Sequence, residues 1–166
     1  CYIEGAVDYI YGGGDCLFET CELYNLRSTG SVIVAPAHKE GTRYGYVFES
    51  CTIDGVVDNK DALGRPWHNS PIAIYLNTTM KRIPSAIGWN NMGTIPALFA
   101  EYNSMTENGT AIKLNDRKTT FGDGYANNPI LTAAEAAEYT VENVMGGGDD
   151  WDPTYYTEQA LSLIHI

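Results

Sequence analysis

The chain has 166 residues, of which 44% are hydrophobic, and this length and composition suit one globular domain with a buried core. Lys and Arg total 10 against 21 Asp and Glu, for a formal net charge of -11. That charge argues against nucleic acid or an anionic membrane as a partner. The sequence has no apolar run of the roughly 18 residues that a membrane-spanning helix needs, so no such helix is predicted.

The two ends of the chain suggest that it belongs to a longer protein. It begins with Cys1 rather than Met, as a mature form or a fragment would. Residues 161–166, LSLIHI, resemble the translated end of an adapter used in DNA library preparation. We therefore exclude this tail from the fold prediction.

The first predicted strand contains a carboxylate. Residues 7–11, VDYIY, have the β-branched and aromatic side chains typical of a strand that is buried on at least one face. Asp8 interrupts this apolar run, so it is either a structural group satisfied by a partner or a functional group. Composition alone favours the structural alternative, since most carboxylates in strands cap, pair or face water.

The cysteines lack the spacing of a zinc site. Cys16 and Cys21 are separated by four residues, while Cys1 and Cys51 stand apart from them. Cys1, Cys21 and Cys51 each precede an aliphatic residue by two positions. This shared pattern predicts one repeated inward position, a stack of buried thiols rather than disulfides.

A short segment occurs twice, thirty residues apart. The copies are LFETCEL at residues 17–23 and VFESCTI at residues 47–53, and a weaker copy opens the chain. Repeats at that spacing predict a solenoid. Strict alternation would place the Glu of each copy on the same face as the Cys, so we expect the chain to turn a corner just after the Glu. Short strands that meet at a repeated corner predict an all-β fold, a parallel β-helix.

Further strands and loops are predicted between and after the repeats. Residues 30–37 read as a strand that ends in a loop broken by proline, and His38 in that loop is expected to be solvated. Residues 58–62 form a polar loop, and residues 72–76 form another strand.

The loop between those last two segments carries Arg65 and Trp67. Gly64 before and Pro66 after Arg65 restrict the backbone, so a guanidinium and an indole are held close together on a stiff loop. The sequence alone leaves two alternatives open for this pair. One is a binding role, and the other is a surface cation–π contact.

The last third of the chain changes in composition. Residues 86–89 and 97–102 are predicted strands, and residues 103–128 are rich in loops with one short strand possible at 111–114. Thr132 and Glu135 form a capping box, which predicts an Ala-rich helix that ends at Gly146. We expect this helix to cover or flank the open end of the stack.

Four motifs, in order, resemble those of the pectin methylesterases, also called pectinesterases. They are GAVDYIYG at residues 5–12, LGRPW at 63–67, GW at 88–89, and LTAAEAA at 131–137 followed by WDP at 151–153. The resemblance covers nearly the whole chain from Cys1 to Pro153, and it implies the fold of that family, a right-handed parallel β-helix. Tyr9 and Tyr11 stand where the family usually has Phe.

The resemblance implies a carboxylic ester hydrolase that removes methyl esters from the C6 carboxyl of galacturonate units in pectin. Carried over position by position, it makes Asp8 the nucleophile with Arg65 beside it, and makes Trp67 and Tyr11 substrate-binding residues. A carboxylate is a weak nucleophile, but a guanidinium within hydrogen-bonding distance keeps it ionised and aimed. Attack would release methanol and leave an acyl-enzyme for water to hydrolyse. No metal and no cofactor are expected.

The position of Tyr11 conflicts with simple alternation along the strand. Residues three apart in a regular strand point to opposite faces, so Tyr11 and Asp8 would lie on different sides of the sheet. For both to line one groove, the chain would have to bend, and we expect the bend near residues 10–12.

The resemblance also indicates what this chain lacks. In the family, a Gln-Asp pair from the preceding coil supplies the oxyanion donor and the general acid, and no such pair is found here. The predicted organisation is therefore residues 1–128 as β-helix coils with a partial active site, 129–160 as a C-terminal capping helix and tail, and 161–166 as the adapter-derived tail. We expect little or no esterase activity from these residues alone.

The resemblance also implies a partner and a location. The expected partner is methylesterified homogalacturonan, that is pectin, with no nucleic acid and no membrane involved. We expect an extracellular monomer, because polymeric pectin lies outside cells.

Two other functions remain open at this point. A non-catalytic β-helix could bind carbohydrate, with Trp67 and Tyr11 as stacking platforms and Asp8 as a hydrogen-bond acceptor. A pectate lyase on the same fold would need several carboxylates gathered around Ca²⁺. Asp54, Asp58 and Asp61 are close in sequence, but nothing in the sequence makes them converge, so the lyase ranks last.

Overall fold

A computed structural model describes residues 1–122, 124–125 and 127–155 of the chain. Residues 161–166, and the end of the predicted 129–160 segment, lie outside the described residues, so the division of the chain drawn above stays a prediction. The chain forms a parallel β-helix of about four coils, as predicted. The strands of successive coils pair in parallel and form three sheets along the stack. Within the described residues, no helix is long and apolar enough to cross a membrane.

Successive coils contribute strands to the three sheets in turn, although in the part of the chain that the structure describes the second sheet has strands only from the first three coils. The first sheet contains β1 (Tyr2–Gly5), β4 (Glu22–Asn25), β7 (Thr52–Gly55), β10 (Thr79–Met80) and β12 (Met105–Thr106). The second contains β2 (Val7–Gly12), β5 (Val32–Pro36) and β8 (Ala62–Gly64). The third contains β3 (Cys16–Glu19), β6 (Tyr46–Glu49), β9 (Ile72–Leu76) and β11 (Leu98–Tyr102). A small antiparallel pair, β13 (Thr120–Phe121) and β14 (Gly124–Tyr125), follows.

The predicted corner recurs in every coil, at one residue with left-handed backbone. The φ angle is 54° at Thr20, 53° at Ser50, 52° at Asn77 and 55° at Asn103. Asn adopts this conformation more readily than most residues, and its amide can join neighbouring coils. Asn77 Nδ2 donates to Glu49 Oε1 at 2.8 Å, and Asn103 Nδ2 donates to Asn77 Oδ1 at 2.9 Å. The corner prediction is therefore confirmed, and it extends to two coils in which the sequence repeat is not visible.

An aromatic stack runs through the interior along the axis of the coils. The ring centroids of Phe18 and Phe48 are 4.4 Å apart and those of Phe48 and Tyr75 are 4.5 Å apart, close to the spacing of neighbouring strands. In the next coil the residue in register with Tyr75 is Glu101, which is completely buried. Arg117 Nε pairs with Glu101 Oε2 at 2.6 Å and is only 4% exposed. An ion pair therefore takes the place of the next ring.

Two short helices follow the coils, where the sequence predicted one. The Thr132 capping box is present, but α1 (Ala133–Ala136) ends after one turn, and Thr140 caps a second helix, α2 (Val141–Met145). None of the α1 residues is buried, so little apolar burial favours a longer helix there. The end of the helical segment at Gly146 is confirmed.

The helical segment packs on the side of the stack. Leu131 and Val144 are buried and belong to an apolar cluster with Val47, Ile74 and Ala100 of the third sheet. These sheet residues alternate with Phe48, Tyr75 and Phe99, which belong to the interior cluster. The helices thus cover the outer face of the third sheet.

Two predicted strands are absent from the described residues. Residues 86–89 form a tight turn, in which Gly88 has a φ of 66° and its N–H donates to the Ser85 carbonyl at 2.9 Å. Trp89 forms only an isolated bridge with Gly64. Residues 111–114 likewise contribute a single bridge, between Ala111 and Met105. The strand predicted at 97–102 is confirmed as β11.

The cysteine prediction is confirmed at two of its three positions. All four cysteines lie in the described part of the chain and are free thiols. Cys21 and Cys51 are buried in successive coils, whereas Cys1, which precedes the edge strand β1, is exposed. Burial raises the pKa of the Cys51 thiol to about 11, so this thiol is a packing group.

Candidate active site

A β-bulge in β2 turns Asp8 outward. Val7 pairs with Val32 and Ile10 pairs with Val34, so three steps along β2 match two along β5. The extra residue of the bulge is accommodated at Asp8, which has a φ of 53°. Asp tolerates this left-handed conformation better than most residues do. Such a conformation costs about 1 kcal/mol or more and persists only where its surroundings enforce it.

The same bulge resolves the conflict over Tyr11. Because one residue is added at Asp8, Tyr11 and Asp8 both reach the outer surface although they are three residues apart. Tyr11 is 67% exposed. The expected bend does occur, but it lies at Asp8 and not at residues 10–12 as predicted.

Arg65 follows β8, two coils away from Asp8. The register of the second sheet places Tyr11, Ala35 and Arg65 on one rung, because Ile10, Val34 and Gly64 share the rung before it. Ala35 carries only a methyl group, so the long Arg65 side chain can cross the intervening coil. The Arg65 N–H donates to the Val34 carbonyl at 3.0 Å, which fixes the backbone from which it extends.

The Arg65 guanidinium donates hydrogen bonds to both carboxylate oxygens of Asp8. Nε donates to Oδ1 at 2.9 Å and Nη2 donates to Oδ2 at 2.5 Å, the paired geometry that a planar guanidinium favours. The hydrogen bond to Asp8 raises the pKa of Arg65 above its ordinary value, so this cation stays charged. The side chains of Arg65 and Asp8 are 29% and 21% exposed, which leaves the carboxylate open to a ligand from solvent.

Aromatic side chains form a wall beside this ion pair. The Tyr11 and Trp67 centroids lie 6.0 Å apart in an edge-to-face contact, and His68 lies against Trp67 at 4.9 Å. Thr94 Oγ1 donates to the Trp67 carbonyl at 3.2 Å, and the Trp67 N–H donates to the Pro36 carbonyl at 3.1 Å. The structure therefore brings all four predicted site residues together on one surface. His68 is an addition that its place next to Trp67 in the sequence could have suggested.

His38 was expected in solvent, and that prediction is wrong. The imidazole is completely buried, and its Nε2 lies 3.0 Å from the Gly14 carbonyl while its Nδ1 accepts from the Ile72 N–H at 3.1 Å. One donor and one acceptor are satisfied together only by a neutral ring with its proton on Nε2. The Ser70 N–H also donates to the His38 carbonyl at 2.8 Å. His38 thus joins the loops that follow β2, β5 and β8, and the last of these carries Trp67.

This burial predicts a loss of stability in mild acid. Desolvation lowers the pKa of His38 below its ordinary 6.5, against smaller opposing effects of the Gly14 carbonyl and the Asp15 charge. The unfolded chain therefore binds the proton first, so the contribution of His38 is complete above about pH 6.5. We expect the free energy of unfolding to fall as the pH drops from there toward the lowered folded-state pKa. Urea denaturation at several pH values between about 7.5 and about 5 measures this change in the free energy of unfolding.

A His38→Gln variant is the comparison for that experiment. Gln retains a donor and an acceptor but does not titrate, so its free energy of unfolding should vary less over the same pH range. Parallel curves for the two proteins would contradict the assignment of the pH dependence to His38.

The three aspartates considered for calcium do not converge. Arg82 pairs with Asp58 at 3.0 Å and approaches Asp54 at 3.9 Å, so both carboxylates face a cation. Asp61 instead turns inward and is only 2% exposed, so the predicted polar loop 58–62 contains a buried group. Among the described residues, no three His, Cys, Asp or Glu side chains are grouped in a way that could hold a metal ion.

Comparisons with known proteins all point to one family. The family model described as Pectinesterase matches residues 1–149. Probable pectinesterase A of Aspergillus fumigatus is 32% identical, over 94% of this chain and 45% of the relative. Pectinesterase A of Dickeya chrysanthemi is 31% identical, over 89% of this chain and 46% of the relative. The chain thus spans less than half the length of these curated relatives.

Solved structures agree with the observed coils. A pectin methylesterase mutant in complex with a hexasaccharide superimposes with a TM-score of 0.69 at 28% identity, over 93% of this chain and 51% of that one. Pectin methylesterase from carrot, at 20% identity, has the same fold with a TM-score of 0.71, over 89% of this chain and 49% of that one. The family match over most of the chain, together with the β-helix and these relatives, establishes that the chain belongs to the pectinesterase family.

Proposed function

We propose that this chain carries part of the active site of an esterase that removes methyl groups from the galacturonate units of pectin. The observation that supports this most strongly is the partly exposed Asp8 carboxylate, held at both oxygens by Arg65 and placed beside the Tyr11 and Trp67 rings. A related pectin methylesterase has been solved with a bound hexasaccharide, which supports a carbohydrate substrate here. Because polymeric pectin lies outside cells, we place the protein there, acting as a monomer.

In the proposed reaction, one Asp8 oxygen attacks the C6 carbonyl carbon of the methyl ester. The bond to the methoxy group breaks, and that group takes up a proton and leaves as methanol. The remaining acyl-enzyme is an anhydride between Asp8 and the galacturonate. Water then adds to it, which gives the free galacturonate and restores the Asp8 carboxylate. Before the attack, and again after hydrolysis, Arg65 holds both oxygens of the free carboxylate in place.

Two further groups are needed for fast turnover. The developing oxyanion needs hydrogen-bond donors, and the methoxy group needs a proton source. Among the described residues, Arg65 is the ion-pair partner of Asp8, and its Nε and Nη2 groups donate to that carboxylate. The single Gln of the sequence is Gln159, in the part outside the described residues. We therefore assign these two tasks to groups beyond the residues described here.

The test is methanol release from methylated pectin. We expect these 166 residues to be slower by at least about 10⁴-fold than a version extended with its own upstream sequence, since an oxyanion donor contributes about 10²–10³ and a general acid about 10²–10⁴. Circular dichroism would first confirm that both chains are folded. Equal rates from the two chains would contradict the proposed division of the active site.

A second candidate, a non-catalytic carbohydrate-binding β-helix, is favoured by the row of aromatic rings. Under either function, Trp67→Ala should weaken binding to methylated pectin by about tenfold, because the indole supplies the largest apolar surface of the wall. Trp151→Ala is a matched control, since Trp151 is 53% exposed and belongs to a different part of the chain. Equal affinities for the two variants, measured by calorimetry, would exclude Trp67 from the binding surface. Only the esterase predicts that Asp8→Asn also removes turnover.

A further inference from the structure

A line of buried hydrogen bonds lies behind Asp8. The Tyr9 hydroxyl donates to Asn25 Oδ1 at 2.7 Å, and Asn25 Nδ2 donates to Asp61 Oδ2 at 3.0 Å. The Ser31 N–H donates to the other oxygen of Asp61 at 2.7 Å. Asn25 is completely buried and Asp61 is 2% exposed. Tyr9 is partly buried, while the Asn25 amide and the Asp61 carboxylate depend on their neighbours and not on water.

This line connects the two strands that carry the ion pair. Tyr9 directly follows Asp8 in β2, in the first coil, and Asp61 directly precedes β8, which leads to Arg65 in the third coil. Asn25 belongs to β4, in the coil between them. The charged end of the line is the Asp61 carboxylate, which accepts two hydrogen bonds and so holds its partners more firmly than a neutral acceptor would.

The residue that needs such a tether is Asp8. Its left-handed backbone relaxes unless its neighbours are fixed, and Tyr9 is the neighbour that faces inward. The Tyr9 ring lies over Gly5, where an added Cβ would come within 2.4 Å of the Tyr9 Cβ. The ring is thus held on one side by backbone and at its tip by Asn25.

We propose that Tyr9 is a positioning residue, whose hydroxyl, tied through Asn25 to Asp61, holds the bulge in the shape that lets Arg65 grip both oxygens of Asp8. Its importance for catalysis rests on the proposed function, in which Asp8 is the attacking group. The geometric part concerns only the ion pair and can be measured without turnover.

The experiment observes the Arg65 side chain in the ¹⁵N-labelled 166-residue protein. The Arg65 Nε–H group donates a hydrogen bond to Asp8. The exchange of its proton with water therefore reports how well the Arg65–Asp8 ion pair is aligned. In Tyr9→Phe, which removes only the hydroxyl, we expect exchange about tenfold faster than in the parent, because Asn25 loses its buried donor and the bulge loosens. Asp61→Asn should also speed this exchange, because it weakens the other end of the line. This variant replaces Tyr9→Phe in the test if Tyr9→Phe does not fold.

Ser104→Ala is the matched control. The Ser104 hydroxyl also makes one buried bond, to Glu101 Oε1 at 2.8 Å, but at the far end of the stack. This variant should lose stability without changing the exchange rate of the Arg65 proton. Unchanged exchange in both Tyr9→Phe and Asp61→Asn, or equally faster exchange in Ser104→Ala, would overturn the proposal.

Turnover separates this proposal from the proposed function. If Asp8→Asn abolishes methanol release in the chain extended upstream while Tyr9→Phe leaves the Arg65 signal unchanged, the esterase stands and the positioning role of Tyr9 is overturned. If Tyr9→Phe speeds Arg65 exchange while Asp8→Asn keeps full turnover, the tether of the ion pair is supported and the assignment of Asp8 as nucleophile fails.

Discussion

Replacing Asp8 by Asn should lower methanol release from methylated pectin by about 10⁴-fold or more in the chain extended upstream. The amide carries no charge and cannot attack an ester carbonyl, and Arg65 loses its anionic partner. Asn also tolerates left-handed backbone, so the φ of 53° at this position should persist and the fold should be retained. The measurements are the steady-state rate of methanol release and the melting temperature of each variant.

The control for this variant is Asp58→Asn. Asp58 also forms an ion pair with an arginine, Arg82, at 3.0 Å, but both side chains are 44% exposed and belong to the loop regions beside the first sheet. Its replacement should leave turnover within a factor of about two, since exposed ion pairs contribute little. Full turnover in Asp8→Asn, with the polymer still bound, would mean that another group attacks the ester.

Removing Arg117 should have the largest effect on stability. Arg117→Met leaves Glu101, which is completely buried, without its ionic partner, and also removes donors to the Ser85 and Ala86 carbonyls. Breaking one side of a buried pair costs about 3–5 kcal/mol, a large part of the roughly 5–15 kcal/mol that stabilises a typical domain. The quantity to measure is the free energy of unfolding in urea.

Two comparisons make this stability prediction specific. Arg82→Met, which breaks an exposed pair, should cost less than about 1 kcal/mol. The double variant Glu101→Leu with Arg117→Met should recover part of the loss, because no unpaired charge then remains in the interior. An equal loss of free energy of unfolding in Arg117→Met and Arg82→Met would show that the buried Glu101–Arg117 pair contributes no more to stability than an exposed pair.

The coil structure could be predicted because its signal is local and repeated. The segments around Thr20 and Ser50 are similar in sequence, and the corner they form follows from the failure of strict alternation. The corners at Asn77 and Asn103 have the same φ within a few degrees but could not be recognised, since different residue types satisfy the same backbone requirement. Neither the interior stack of aromatic rings nor its replacement by Glu101 in the next coil was predicted from the sequence.

The polar groups inside the coils were the least predictable. His38 and Asp61 both lie in segments rich in polar residues and Pro or Gly, which normally indicates a solvated loop. Their burial depends on which neighbouring coil supplies a backbone partner, such as the Ile72 and Ser31 N–H groups. A partner from another coil leaves no mark near the residue in the sequence. Asp8 and Arg65 were paired only through family motifs, because the bulge that brings them together is equally invisible in the local pattern.

The most direct test of the account is to trap the acyl group on Asp8. The extended protein would be mixed with methylesterified oligogalacturonate in the presence of hydroxylamine, digested and analysed by mass spectrometry. Hydroxylamine opens an anhydride to a hydroxamate, so we expect a hydroxamate on Asp8 or on the galacturonate in step with methanol release, and none in Asp8→Asn. Methanol released at the full rate, with Asp8 unmodified and no hydroxamate on either partner, would contradict attack by this carboxylate.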